Sequence, residues 1–170
     1  MQTEAIQTIS SRKTSVRKIP NPYTNLEFKP CSTIYDYGCG AYFDDVITYM
    51  KKKDKSILLL GWDKYNHDNK AAYTIMHKYT PEYIICSCVI NVIKEDNVIN
   101  GVLKDIYDIA GKDTEIIFNI YEGNKSGVGK RTSCGYQRNM KTKDYLILLC
   151  EWFDIIQIKN ETIIICRKVM

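Results

Sequence analysis

The sequence predicts an α/β fold built on a mostly parallel sheet. Short apolar runs alternate with amphipathic helical patterns along the chain. A Gly-x-Gly turn, Gly38-Cys39-Gly40, joins the first such pair. The chain ends in two β-rich runs around Lys-Asn-Glu, which read as an antiparallel hairpin.

Ser32 to Tyr37 reads as a short strand closed by Gly38. From Ala41 to about Lys53, Phe43, Val46, Ile47 and Met50 recur at i, i+3, i+4 and i+7, one face of a helix. Asp44 and Asp45 fall in its first turn, where the helix dipole favours negative charge. Ser56 to Asp63, SILLLGWD, is apolar without a break, as suits a strand buried on both faces. Residues 68 to 79 fit a helix less sharply. Tyr83 to Ile93 begins as another buried strand, and the next helix carries Val98, Ile99, Val102, Leu103, Ile106 and Ile109 on one face. Thr114 to Glu122 is a fourth strand, followed by a glycine-bearing basic loop from Gly123 to Met140. Thr142 is placed to cap a helix with Tyr145, Leu146, Leu149 and Phe153 inward. The order is β-α-β-(α)-β-α-β-α-β-β, which implies helices on both faces of the sheet.

The chain has 170 residues, 45% apolar and 26% charged, which suits one domain with a full core. Residues 1–30 read as a basic, partly irregular arm broken by Pro20, Pro22 and Pro30, and 31–170 as the folded domain. No apolar run reaches the roughly 20 residues of a membrane span, and the N-terminus lacks a signal-like apolar core. The expected location is cytoplasmic. The seven cysteines include no CxxC, and His67 and His77 complete no zinc spacing, so reduced buried thiols and no metal are expected.

The net charge is +4. Arg12, Lys13, Arg17 and Lys18 face one acid, Glu4, in the arm, and residues 125–143 carry six cations and no acid. Each stretch reads either as a solvated face or as a contact for a polyanion such as nucleic acid.

Ligands of open α/β sheets bind beyond the carboxyl ends of the strands, where the strand order reverses. That edge gathers Gly38, Cys39, Gly40, Asp63, the Cys86 to Asn91 segment and the basic loop. Glycines there allow close approach to the backbone, helix-start amides offer donors, and an acid after the second strand can accept ribose hydroxyls. Gly-x-Gly alone also fits a plain tight turn. Phe43 stands where a dinucleotide fingerprint needs its third glycine, and no Gly-Lys-Ser/Thr of a P-loop follows.

Asp36-Tyr37-Gly38-Cys39-Gly40 resembles the first motif of the class I S-adenosylmethionine-dependent methyltransferases, D/E-x-G-x-G. The terminal hairpin also fits that Rossmann-like fold. YDYGCGAYFDDV, GWDKYN, CVINVIKED and TSCGYQR, in that order, are further similar to methyltransferases associated with DNA phosphorothioation systems, over roughly residues 32 to 168. Ala41-Tyr42-Phe43 replaces the later glycine and acid of the first motif, and Lys64 replaces a proline. The third βα unit is short or missing between Asp63 and Tyr83.

The resemblance implies S-adenosylmethionine as cofactor. Gly38, Cys39 and Gly40 would lie under its methionine part, with Asp36 at the amine and Asp63 at the ribose. Trp62 or Lys64, with the third strand's end at Cys86, would meet the adenine. Asn91 and the loop residues Arg131, Tyr136, Gln137 and Arg138 would face the substrate, with tyrosine and arginine stacking bases and cations neutralising phosphates. Neither the Asp/Asn-Pro-Pro-aromatic turn of DNA amino-methyltransferases nor the Pro-Cys of cytosine C5 enzymes stands at the third strand, so no catalytic residue is assigned. The expected activity is methyl transfer to nucleic acid or a nucleic-acid-linked substrate. The alternative is an inactive module of the same fold that binds the cofactor, nucleic acid or a protein.

Overall fold

The computed structural model describes residues 6–9 and 18–169. Arg12, Lys13 and Arg17 of the basic arm lie outside the described residues.

One six-stranded sheet organises the chain, in the order β2-β1-β3-β4-β8-β7. Its strands are β1 Thr33–Tyr37, β2 Leu58–Trp62, β3 Tyr83–Ser87, β4 Glu115–Asn119, β7 Phe153–Lys159 and β8 Ile163–Lys168. β1 pairs in parallel with β2 and β3, and β3 with β4. β8 runs antiparallel to β4, and β7 antiparallel to β8. The terminal hairpin is therefore part of the main sheet.

The chain steps from β1 outward to β2, then crosses back to place β3 on the other side of β1. The strand order reverses at β1, so its carboxyl end opens a crevice towards β3. No strand stands between β2 and β3. A tight turn from Asp63 to His67 and helix α3, Lys70–Lys78, fill the interval. The third βα unit keeps its helix and lacks its strand.

Alternation along the strands splits the interior into two layers. Ile34, Ile85, Ile117 and Ile163 face Phe43, Val46 and Met50 of helix α2, Phe43–Lys53. Tyr23 and Leu26, in and after helix α1, Asn21–Asn25, pack in the same layer. Tyr35, Ile84, Ile116 and Phe118 face the other way, against Ile99, Leu103 and Ile106 of helix α4, Asp96–Ile109. Each such aliphatic side chain, fully buried, contributes about 1.5–3 kcal/mol.

The structure corrects several expectations. The sequence suggested a strand buried on both faces; the SILLLGWD strand is an edge strand, mostly half-buried, with Leu58 55% exposed. Leu59 and Leu60 point to opposite layers, so both faces are covered while one side has no neighbour. The helix expected from Thr142 to Phe153 shrinks to a 3-10 turn, Thr142–Tyr145, and one α-turn, α5, Leu146–Leu149. Phe153 instead opens β7. The basic loop folds into a small hairpin, β5 Lys130–Thr132 with β6 Gly135–Gln137. Among the described residues no helix is long and apolar enough to cross a membrane.

Candidate functional site

A cleft of about 1340 Å³ opens at the carboxyl ends of β1, β3 and β4. Asp36, Gly38, Asp63, Cys88, Asn91 and Asn119 are among its lining residues, with Tyr136 and Gln137 of the small hairpin across it.

The glycine turn is shaped by its neighbours. Gly38 sits at φ +80, and a Cβ there would lie 2.3 Å from Val89 Cγ2. Only glycine meets both conditions cheaply. The Gly38 and Cys39 amides both donate to the Trp62 carbonyl, at 2.7 and 3.2 Å. The Gly40 amide donates to Asp63 Oδ2 at 3.0 Å. These three amides are spent fastening the turn to the end of β2 and to Asp63.

Asp63 ties its own turn as well. Its Oδ1 accepts the Tyr65 and Asn66 amides, each at 2.8 Å, and the Asn66 side-chain amide at 3.3 Å. Oδ2 holds only Gly40 among the described residues, which leaves it one acceptor position for an outside donor such as a ribose hydroxyl. Trp62 lines the cleft beside Tyr37 and Tyr73, with ring centroids 5.2 and 4.6 Å away.

Asp36 is the most unusual group in the site. It is 1% exposed, at the carboxyl end of β1. Its Oδ2 accepts a 2.6 Å hydrogen bond from the Tyr23 hydroxyl. No donor among the described residues reaches Oδ1. Burial raises its carboxyl to about 7, against the lowering effect of the Tyr23 bond and with a further push from Asp63. A buried carboxylate with one empty oxygen at the edge of a cleft is a seat for a cation or a strong donor.

The remaining expected residues divide. Asn91, Tyr136 and Gln137 line the cleft. Cys39 lines it too, though burial holds its thiol far above the usual range. Cys86 is buried in the α4-side layer and is not among the lining residues. Burial raises its thiol as well, so it offers no thiolate. Arg138 turns away from the cleft. It pairs with Asp96 at 2.6 Å and donates to the Ile93 and Lys94 carbonyls, clamping the loop to the start of α4. Arg131 is exposed on β5 and does not line the cleft.

Two site residues escaped the sequence reading. Tyr23 belongs to the stretch read as an irregular arm, and only its aromatic character in NPYTNLEF hinted at a core role. Asn119 had a clearer signal, as the lone polar residue within IIFNI. It pairs in register with Ser87, where β3 and β4 both open into the cleft.

No protein-family model matches the chain, and no curated protein matches it significantly. Solved structures do. One is 1,6-didemethyltoxoflavin-N1-methyltransferase from Burkholderia thailandensis, crystallised with 1,6-didemethyltoxoflavin and S-adenosylhomocysteine. It is 11% identical, with TM-score 0.59 over 82% of this chain and 72% of that one. A second is an S-adenosylmethionine-dependent methyltransferase from Methanosarcina mazei, 9% identical, TM-score 0.58, over 89% and 99%. Human N-acetylserotonin methyltransferase, in complex with S-adenosylmethionine, is 13% identical, TM-score 0.55, over 82% of this chain and 48% of its own length. At such identities the likeness is one of fold. The chain has the Rossmann-like fold of the class I methyltransferases, with a parallel core closed by a C-terminal antiparallel pair.

Proposed function

We propose that the protein is an S-adenosylmethionine-dependent methyltransferase whose acceptor is a nucleic acid or a nucleic-acid-linked group. The observation that carries the cofactor reading is the unpartnered, buried Asp36 Oδ1 beside the Gly38 turn at the reversal of strand order. That oxygen suits the α-ammonium of the methionine part. Asp63 Oδ2 has room for a ribose hydroxyl, and Trp62 and Lys64 line the same wall for the adenine. The residues present therefore fit the cofactor.

The cofactor, when bound, supplies a methyl group on a sulfonium that leaves as a neutral thioether. What remains for the protein is to orient the acceptor in line and keep water out. The cleft exceeds the roughly 300–1,000 Å³ of ordinary small-ligand sites, which leaves space for an acceptor beside the cofactor.

The nucleic-acid reading rests on the exposed Lys130 and Arg131 of the hairpin and on Tyr136 at the cleft. Cations there would neutralise phosphates, and the ring would stack on a base. A second reading is a cofactor-binding module without catalysis. It is favoured by the Asp63 carboxylate, which already serves four protein donors.

Thermal shift with S-adenosylmethionine and S-adenosylhomocysteine tests the cofactor. Wild-type protein is stabilised by an amount that rises with the logarithm of ligand concentration, and Asp36→Asn much less so. No shift at millimolar ligand overturns the reading. Labelled methyl transfer then separates enzyme from module, and nucleic-acid binding that does not weaken with salt removes the nucleic-acid acceptor.

A further inference from the structure

The cleft holds two more buried oxygens without donors, both uncharged. Asn91 is 1% exposed and Asn119 is 4% exposed, and both line the cleft. Among the described residues, nothing donates to Asn91 Oδ1 or Asn119 Oδ1. A buried amide oxygen left unpaired is costly, so two that line one cleft point to a ligand that supplies the donors.

The polarity of the first amide is set by the backbone. Gln137 Nε2 donates to the Tyr121 carbonyl at 2.8 Å, which can only accept. Gln137 Oε1 therefore faces Asn91 and takes its Nδ2 at 3.2 Å. Asn91 is left with its buried oxygen unpaired. On the neighbouring strand, Asn119 Nδ2 is held by Ser87 Oγ at 3.0 Å and by Cys88 Sγ at 3.7 Å. In this orientation its oxygen is left over. Ser87 and Asn119 face one another across β3 and β4, so both amides belong to the same end of the sheet.

No base accompanies these acceptors. No histidine lines the cleft among the described residues. Of its carboxylates, Asp36 is taken by the cofactor's ammonium in the reading above, Asp105 serves Tyr37, Tyr73 and His77, Glu122 pairs with Lys125, and Asp108 with Lys104. Asp63 holds its own turn. A hydroxyl or thiol acceptor would have to surrender its proton to reach nucleophilic strength. A neutral amine brings its own lone pair and needs only to have its N–H bonds accepted.

We infer that the methyl acceptor is an amine nitrogen, whose N–H groups are received by the Asn91 and Asn119 amide oxygens. This rests on the methyltransferase reading above. The nitrogen lone pair forms the new N–C bond as the methyl C–S bond breaks. The C–S electron pair stays on sulfur, giving neutral S-adenosylhomocysteine. The nitrogen becomes a cation and releases one proton to water. Asn91 and Asn119 orient the lone pair and take no proton, and Gln137 is a positioning residue that fixes the sense of Asn91.

The test is labelled methyl transfer from S-adenosylmethionine into a bacterial cell extract by the full chain. The linkage of the labelled product is read by mass spectrometry, and S-adenosylhomocysteine binding is measured separately by calorimetry. The expected result is an N-methyl product. Asn91→Leu should lower its formation about a hundredfold, the scale of losing one placed polar group, with S-adenosylhomocysteine affinity unchanged. Gln137→Leu, which leaves both acceptors in place, should lower kcat and spare the same affinity. An O-, S- or C-linked product, no product despite S-adenosylhomocysteine binding, or full transfer by Asn91→Leu would each overturn the proposal. Absent S-adenosylhomocysteine binding overturns the cofactor reading instead.

Discussion

The Tyr23 hydroxyl donates a 2.6 Å hydrogen bond to Asp36 Oδ2, between two side chains with almost no exposure to solvent. The bond joins α1 to the carboxyl end of β1, beneath the glycine turn. It stabilises the ionised carboxylate in a place where burial favours the neutral acid. Tyr23→Phe keeps the ring and removes the bond. Hydrogen bonds to charged groups are worth about 1.5–3 kcal/mol, so cofactor affinity at neutral pH should fall about tenfold or more. Isothermal titration with S-adenosylhomocysteine at several pH values checks this. The loss should be smaller at pH 9, where more of Asp36 is ionised in both proteins.

Asp36 also links cofactor binding and folding to pH. Its carboxyl is near 7 in the folded chain against an ordinary value of 3.8. The folded state therefore holds a proton that the unfolded state has already lost. The associated stability is fully present below about pH 4 and is lost as pH rises through about 7. Melting of the ligand-free protein should show this fall, and Asp36→Asn should flatten it. Binding of a cationic ligand runs the other way, because it needs the carboxylate. Its affinity should rise with pH through the same window, with proton release seen as a buffer-dependent binding enthalpy. A pH-independent affinity would remove Asp36 as the ammonium seat.

Gly61 and Phe43 account for each other. A Cβ on Gly61 would fall 2.4 Å from the Phe43 ring, which is 4% exposed and opens α2. The bulky residue after the glycine turn is thus an anchor in the α2-side layer. Gly61→Ala should destabilise the fold by about 1–3 kcal/mol through overpacking. Phe43→Leu in the same background should recover part of that loss in urea unfolding. An additive double mutant would show that the two do not share the space.

The fold was legible because its signals are local. Apolar runs at Tyr83 and Thr114, the helical spacing from Phe43 to Met50, and the Lys-Asn-Glu turn each report on their own neighbours in sequence. The lateral position of a strand is different. Leu59 and Leu60 record that two faces are covered, and say nothing of whether another strand lies alongside. The site was legible in its glycines and acids and illegible in its pairings. Tyr23 reaches Asp36, and Gln137 orients Asn91, only after the sheet and the hairpin have brought distant segments together. Arg138 carried a substrate-like signal in a basic loop, yet its three acceptors around Asp96 make it a clamp.

Asp105 takes the place of the missing strand as the tie between α3 and the rest of the molecule. Its Oδ2 accepts the Tyr37 and Tyr73 hydroxyls at 2.6 and 2.9 Å, and its Oδ1 faces His77 Nε2 at 2.8 Å. His77 Nδ1 faces the Tyr73 carbonyl at 3.0 Å, so both ring nitrogens meet acceptors and the protonated ring satisfies both. Partial burial works against that charge, but the Tyr73 carbonyl and Asp105 outweigh it and raise His77 above its usual value. The stability this adds is fully present below about pH 6.5 and is lost as pH rises through the elevated folded value. His77→Gln should therefore destabilise the protein more at pH 6 than at pH 9. Hydrogen exchange should place the loss in α3 and the turn before it. Asp105→Leu removes the common acceptor of the Tyr37 and Tyr73 hydroxyls and of His77, so it should cost more than His77→Gln at every pH. An equal effect of the two, or one with no pH dependence, would mean that α3 is held by packing alone.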